Sequence, residues 1–472
     1  MMMTTGHLTR RGLMRRAAAG ASVAAMAGTA GLVAGCSSTP TSKQSYISTV
    51  IKPENTSPVF TWTDIMLQAI RNQAITPPPA TRAFAMAHTA GFLAANGVAG
   101  AYKTPYGLAP APAGTDPEIA YGVAFSMALG EALQSSFAFD RRRFVSVFPD
   151  GEAKSKAVAY GKQAAHSVIR TRINDGAEPN QSEFYLGRYP RRGDSLAWSP
   201  TGPFYGAEYG PRFATFGRGL LPGWGAQKPW VMKNRRDFLA ATFPDPRSPE
   251  FTRQFTSIRE LGGTKSPIRT ADQTQIAFFW EDGPRGVTPP GHWQIIAMDV
   301  VQGMGLPLIE QARLFALMSA AQADAAITTW DSKYTYDIVR PETAIRRRAH
   351  DFDNPDIAQL REPGWTSLIP TPGFPAYTSG HSTFSAVSAR MIANVIDRDA
   401  VAFSSASPDL VNWPRQLTGV RRSWTSLWAA AEEGGASRLY GGIHWDADND
   451  EGLRIGRDLA DYAFENAFVK AV

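Results

Sequence analysis

Helical spacing of apolar residues, with strand spacing scarce, constrains this chain more than any other feature. From about Pro307, Leu314, Leu317, Met318, Ala321 and Ala325 recur at three- and four-residue intervals, one face of a long helix. Near the C-terminus Ile455, Leu459, Tyr462, Ala463 and Ala467 repeat the pattern. Shorter helical patterns run over 62–73, 80–97, 117–137, 153–173, 248–261, 272–280, a stretch after Pro290, 379–396 and 424–433. Residues 349–373 read as loop. Residues 178–235 are dense in Gly, Pro, Arg and aromatics without a period, which suits a long ordered loop whose aromatics are buried. The class expected is all-α, helices packed as bundles.

The N-terminus is a targeting segment and stands outside fold reasoning. Thr9-Arg10-Arg11-Gly12-Leu13 is a twin-arginine pattern, and the Ala/Gly-rich run after it ends in Leu32-Val33-Ala34-Gly35-Cys36, which resembles a lipobox. Cys36 is the only cysteine, so it suits lipid attachment and excludes disulfides within the chain. The expectation is export by the twin-arginine route and lipid anchoring at the outer face of the cell membrane or in the periplasm, the lipid being the sole membrane contact. The organisation read from this is signal 1–35, tether 36–60, an N-terminal helical region 61–265 and a C-terminal catalytic bundle 266–472. Without residues 1–35 and their four arginines, the net charge of +6 falls to +2, no basis for nucleic-acid binding. The remaining 437 residues can bury one large core or two fused ones.

The chemistry concentrates in three stretches. Phe374-Pro375-Ala376-Tyr377-Thr378-Ser379-Gly380-His381 delivers the chain into a helix, with Ser379 at the N-cap and Gly380 leaving the backbone bare. Unpaired N–H groups and the positive end of the helix dipole make such a terminus an anion site, and His381 sits where it can exchange a proton with a bound oxyanion. Lys333 and Arg340 lie seven apart before Pro341, so both cations are expected on one helix face. Ser437-Arg438-Leu439-Tyr440-Gly441-Gly442-Ile443-His444 puts an Arg and a His on either side of a Gly-Gly break. Two unit charges 4 Å apart are worth roughly 4 kcal/mol at an effective dielectric of 20, and Arg adds bidentate hydrogen bonds. Each stretch alone has an ordinary reading: a Ser cap, Lys333 paired with Asp337, a surface Arg438, a core His444. Asp446, Asp448 and Asp450 suggest a calcium loop, but Glu451 stands where Gly is needed and Arg457 where Glu is needed. Asp448 is better read as orienting His444 and fixing its tautomer. His88, His166, His292 and His350 are too scattered for a metal site, though His292 is expected to line the pocket.

Taken in order, the three stretches resemble the motifs of the vanadium haloperoxidase and type-2 phosphatidic acid phosphatase superfamily, over about a third of the chain. Phe279-Trp280-Glu281-Asp282-Gly283, Thr288-Pro289-Pro290, Trp330 and the run from Phe374 to Tyr377 are similar to haloperoxidase signatures. The chain departs from the family at Thr378, where Pro is usual. The resemblance implies a fold of two fused helical bundles and a pocket lined by Trp330 and Phe374. It also implies that Asp282 pairs with Arg438, and that vanadate is held by Lys333, Arg340, Ser379, the Gly380 N–H and Arg438. His444 would ligate the vanadium and His381 would shuttle protons. Lys333 would polarise the bound hydrogen peroxide, which oxidises a halide and in turn possible small organic substrates. Phosphate has the same tetrahedral shape, so an acid phosphatase with His444 as nucleophile and His381 as proton donor is the alternative. Chain length, the lack of later apolar spans and the Trp330, Phe374 and Asp282 surroundings favour the haloperoxidase. A third possibility is a lipoprotein that binds an anion or partner without catalysis; it has no use for two histidines.

Overall fold

The computed structural model describes residues 57–177, 192–200, 219–283, 285–408 and 420–471. Cys36, the signal segment, nearly all of the expected tether and the greater part of the 178–235 loop lie outside the described residues.

Proline and capping side chains start most of the helices. α1 (Pro58–Gln73), α2 (Pro77–Ala99) and α3 (Pro117–Leu133) each carry Pro in the first turn, where its missing N–H is no loss. Asp116 caps α3 by accepting from the Glu118 and Ile119 N–H groups. α3 stops short of the expected residue 137: Gln134 turns left-handed, and α4 (Ala138–Ser146) starts separately. α5 (Glu152–Thr171) completes the N-terminal group. α6 (Pro249–Leu261), α7 (Ala271–Phe279) and α8 (Pro289–Val301) follow, then the long α9 (Leu308–Tyr336). α10 (Gly380–Ile396), α11 (Leu427–Tyr440) and α12 (Asp446–Asn466) close the chain.

Two bundles share α9. On one side it packs against α2, which packs on α3 and α5; on the other it packs against α10, itself enclosed by α8, α11 and α12. The expected single apolar stripe on α9 is therefore too narrow. Every residue from Ala312 to Lys333 is buried. Its polar side chains are matched inside the protein: Asp324 accepts the Trp230, Val231 and Met232 N–H groups at 2.7, 2.7 and 2.9 Å, and Gln322 donates to Ser388 at 2.8 Å.

Three other expectations need correction. Trp424 does not begin a helix. It lies in β2 (Arg421–Trp424), which pairs antiparallel with β1 (Phe403–Ala406); α11 starts after its Ser426 cap and runs on to Tyr440. The 349–373 loop holds a helical turn, Pro355–Ala358, capped by Asn354. Ala467 lies past the end of α12, with extended backbone. Among the described residues no helix is long and apolar enough to cross a membrane.

The buried apolar residues form two clusters, a large one through both bundles and a smaller one around Phe251, Phe255, Phe352, Tyr377 and Trp445. Lys333 follows Trp330 of the first cluster, whereas Arg340 follows Val339 and His444 precedes Trp445 of the second. The three motif stretches thus meet along the seam between the clusters.

Candidate active site

Arg340 reaches the site from outside the helix. α9 ends at Tyr336, where Asp337 turns left-handed and donates its N–H to the Lys333 carbonyl. Arg340 is extended, as a residue before Pro prefers, so Lys333 and Arg340 do not share a helix face as the spacing predicts. Trp445 holds the extended segment by donating its indole N–H to the Val339 carbonyl at 2.9 Å. Arg340 then donates from Nε to the Phe374 carbonyl at 2.8 Å, and from Nη1 to the Ile443 carbonyl at 2.8 Å and His444 Nε2 at 3.0 Å. One guanidinium ties all three stretches together.

His444 sits between two partners of opposite character. Its Nδ1 lies 2.7 Å from Asp448 Oδ2, and a carboxylate there requires the proton on Nδ1. Nε2 then carries the lone pair, facing the Arg340 donor. Asp448 works twice more: its Oδ2 accepts the Trp445 N–H at 3.0 Å, and its carbonyl accepts the Ser379 N–H at 3.0 Å. The second bond docks the N-terminus of α10 onto the first turn of α12. Ser379 caps α10 by accepting the Ser382 N–H, and the Gly380 and His381 N–H groups have no acceptor among the described residues. A Cβ on Gly380 would come no closer than 3.5 Å to Phe384, so packing alone does not require glycine there.

Gly442 is where the backbone does require it. Its φ is +74°, and a Cβ would lie 2.1 Å from the Gly262 carbonyl oxygen. We expect Gly442→Ala to lower stability by about 2–4 kcal/mol, read by chemical denaturation, because left-handed backbone and a backbone clash add.

Lys333 is fully buried, and its ammonium donates to the carbonyls of Pro375 at 3.1 Å, Ala376 at 2.9 Å and Thr378 at 2.5 Å. It packs against the rings of Phe374 and Trp330 at 5.1 and 5.9 Å. Trp330 donates its own N–H to the Leu220 carbonyl at 3.1 Å. Arg438 donates from Nη1 to the Trp280 carbonyl at 3.1 Å, and His381 Nε2 lies 3.3 Å from the Glu281 carbonyl, which makes Nε2 the donor. Lys333, Arg340, Arg438 and His444 are buried, whereas Phe374, Gly380 and His381 are half-buried. The site therefore meets solvent at the helix N-terminus.

The electrostatics point one way. Burial, then Arg340, hold Lys333 well below its ordinary value. Burial brings Arg340 down to about 9 and Arg438 to about 10. Burial, followed by neighbouring cations, keeps both His381 and His444 well below the usual histidine value. Burial also pushes Asp448 up to about 7. Arg340 Nη2 and Arg438 Nε are buried with no hydrogen-bond partner among the described residues. Buried donors of this kind are costly unless something accepts from them. A tetrahedral oxyanion supplies both the missing acceptors and the missing negative charge, so the residues fit one.

Asp282 is placed differently from the expected Arg438 pairing. Its carboxylate accepts from His292 Nδ1, with the two oxygens at 3.1 and 3.3 Å. Several participants escaped sequence reasoning. Glu281 contributes a carbonyl to His381, and Asn449 lies 2.8 Å from Ser382 Oγ, itself 2.8 Å from Ser379 Oγ. The carbonyl cradle of Lys333 has no sequence signal, because every residue carries a carbonyl. Glu281 had one, standing beside Asp282 in an acidic pair after two aromatics.

Residues 313–470 match the family model described as the VCPO second helical-bundle domain. The chain is 28% identical over 234 residues to the vanadium chloroperoxidase of Curvularia inaequalis, a match covering 40% of this chain and 38% of that protein's length. It superposes on a bacterial vanadium-dependent iodoperoxidase with a TM-score of 0.71 at 25% identity, covering 88% of this chain and 98% of the other. A holo-type bacterial vanadium-dependent chloroperoxidase shares the fold, with a TM-score of 0.63 at 18% identity over 84% of this chain and 93% of the other. The matched second bundle, the curated relative and the iodoperoxidase architecture agree, and together they support the vanadium haloperoxidase superfamily as the one this chain resembles.

Proposed function

We propose that this chain is a vanadate-dependent haloperoxidase that oxidises halide with hydrogen peroxide to hypohalous acid. The observation that carries the reading is the placement of His444 between Asp448, 2.7 Å from Nδ1, and the Arg340 donor, 3.0 Å from Nε2: this assigns the proton to Nδ1 and leaves the Nε2 lone pair facing a pocket of cations. A lone pair so placed is what a metal centre requires of an imidazole. Arg340 Nη2, Arg438 Nε, the Ser379 hydroxyl and the Gly380 N–H would hold the oxygens, with Lys333, whose three N–H groups go to backbone carbonyls, acting through its charge. Bound vanadate would supply Lewis acidity toward peroxide without a change of oxidation state.

The remaining work belongs to the chain. Lys333 is kept desolvated by Trp330 and Phe374, so its charge acts over a short range in a low dielectric. His381 donates through Nε2 to the Glu281 carbonyl, leaving Nδ1 to take and return a proton at the solvent-facing side. Superfamily kinship with phosphatases sets the test. The full chain is loaded with orthovanadate or with phosphate, and bromide-dependent peroxide consumption is compared with phosphomonoester hydrolysis. Peroxide consumption that rises with vanadate and is suppressed by competing phosphate is the expected result. Phosphomonoester hydrolysis without vanadate-dependent oxidation would replace this reading with a phosphohistidine at His444.

A further inference from the structure

α4 divides its side chains between two faces. Asp140 and Phe144, one turn apart, are buried, and Asp140 is the only acid of the helix. Phe139, Arg142, Arg143, Ser146 and Val147 recur at three- and four-residue spacing on the other face. Phe139 and Val147 are each 44% exposed, Arg142 and Ser146 are exposed, and Arg143 is half-buried. Apolar groups at both ends of a pair of arginines suit a lipid surface: the ring and methyls enter the headgroup boundary while the guanidinium groups meet anionic headgroups. The acids just past the helix do not cancel this charge, since Asp150 pairs with Lys154 at 2.9 Å and Glu152 with Lys156 at 2.8 Å.

The helix lies where the chain enters the fold. Trp62, near the start of α1, packs edge-on against Phe144 with ring centroids 5.5 Å apart, and Phe148 packs on Phe144 at 5.3 Å. The inward face of α4 therefore covers the beginning of α1, and its outward face stands beside the point where residues 37–57 join Cys36 to Pro58. A lipid on Cys36 would turn a weak surface contact into an intramolecular one, so a few side chains suffice. A second copy of the chain is a poor occupant, because a two-fold contact would set Arg142 and Arg143 against their own copies.

We propose that the outward face of α4 rests on an anionic lipid surface, a second membrane contact beside the lipid expected on Cys36. The inference rests on that anchoring and not on the chemistry of the oxyanion pocket, so either can fail alone.

Cys36 is the only cysteine, which supplies the test. The purified full chain is coupled through it to a maleimide lipid in phosphatidylcholine vesicles, with or without phosphatidylglycerol. Amide hydrogen exchange over residues 138–148 should slow by at least about 5-fold on the phosphatidylglycerol vesicles relative to the neutral ones, the scale of one basic residue at an anionic surface. High salt should remove the difference. Arg142→Glu with Arg143→Glu should abolish it, the milder Arg142→Gln with Arg143→Gln should lose most of it, and Phe139→Ser with Val147→Ser should reduce it. Circular dichroism checks that each variant is folded. Equal exchange of the parent on both kinds of vesicle would overturn the proposal, as would slowing that survives removal of both arginine charges. Slowing that appears without vesicles and grows with protein concentration would give the face to a second copy and overturn the lipid assignment. A native protein whose Cys36 carries no acyl chain by mass spectrometry would remove the anchor and the proposal with it.

Discussion

Replacing His444 by Ala should abolish tight vanadate binding and halide oxidation together. The imidazole presents its Nε2 lone pair because Asp448 holds the proton on Nδ1 at 2.7 Å. Among the described residues of the pocket, Lys333, Arg340 and Arg438 are donors, and His381 sits at its opening rather than behind it. The loss of affinity should exceed the roughly 10–100-fold that follows removal of an outer partner of a metal ligand. The fold should survive at reduced stability. Asp448 retains the Trp445 N–H at 3.0 Å but loses its imidazole donor, a penalty of about 1–3 kcal/mol for a buried acceptor. Orthovanadate titration of the purified variant, with denaturant unfolding alongside, measures both. A His444→Ala protein that binds vanadate like its parent would remove His444 from the ligand role.

His381→Ala should separate binding from chemistry. Lys333, Arg340, Arg438 and the N-terminus of α10 remain in place, so vanadate should still bind, more weakly. Halide oxidation at saturating vanadate should fall by about 10²- to 10⁴-fold, the usual scale for a lost general acid–base. Position supports this assignment: His381 is half-buried at the opening of the pocket, while His444 is buried behind it. Its proton state does too. Burial and then Arg438 hold it well below the ordinary histidine value, so it is neutral near pH 7 and ready to accept a proton. If His381→Ala loses vanadate while His444→Ala keeps it, the two histidines have exchanged roles.

The sequence by itself determined the class of fold and named residues that the structure brings together. Helical periodicity is local, repeated every three or four residues, and it survives in any helix that buries one face. That is why α1, α2, α5 and α10 were legible, as was the Ser379 cap ahead of Gly380 and His381. Lys333, Arg340, Arg438 and His444 could be named because their spacing and neighbours form short motifs. Boundaries were less legible where packing overrides propensity. Trp424 reads as helical but pairs with Phe403 across two strands, and α9 hides a helix buried on all sides behind a pattern that shows one stripe.

Only the tertiary structure decided how the site residues face one another. Arg340 looked like a neighbour of Lys333 on a helix, yet the left-handed Asp337 and the extended backbone before Pro341 send it across to His444. Asp282 looked like the partner of Arg438, yet His292, ten residues on and buried with it, takes the carboxylate. Lys333 was legible as a cation of the site, yet the three backbone carbonyls that hold it in the interior were not. The common reason is that these contacts join residues from 10 to more than 100 positions apart through directional hydrogen bonds. Such bonds depend on where whole helices come to rest, and local spacing carries no record of that.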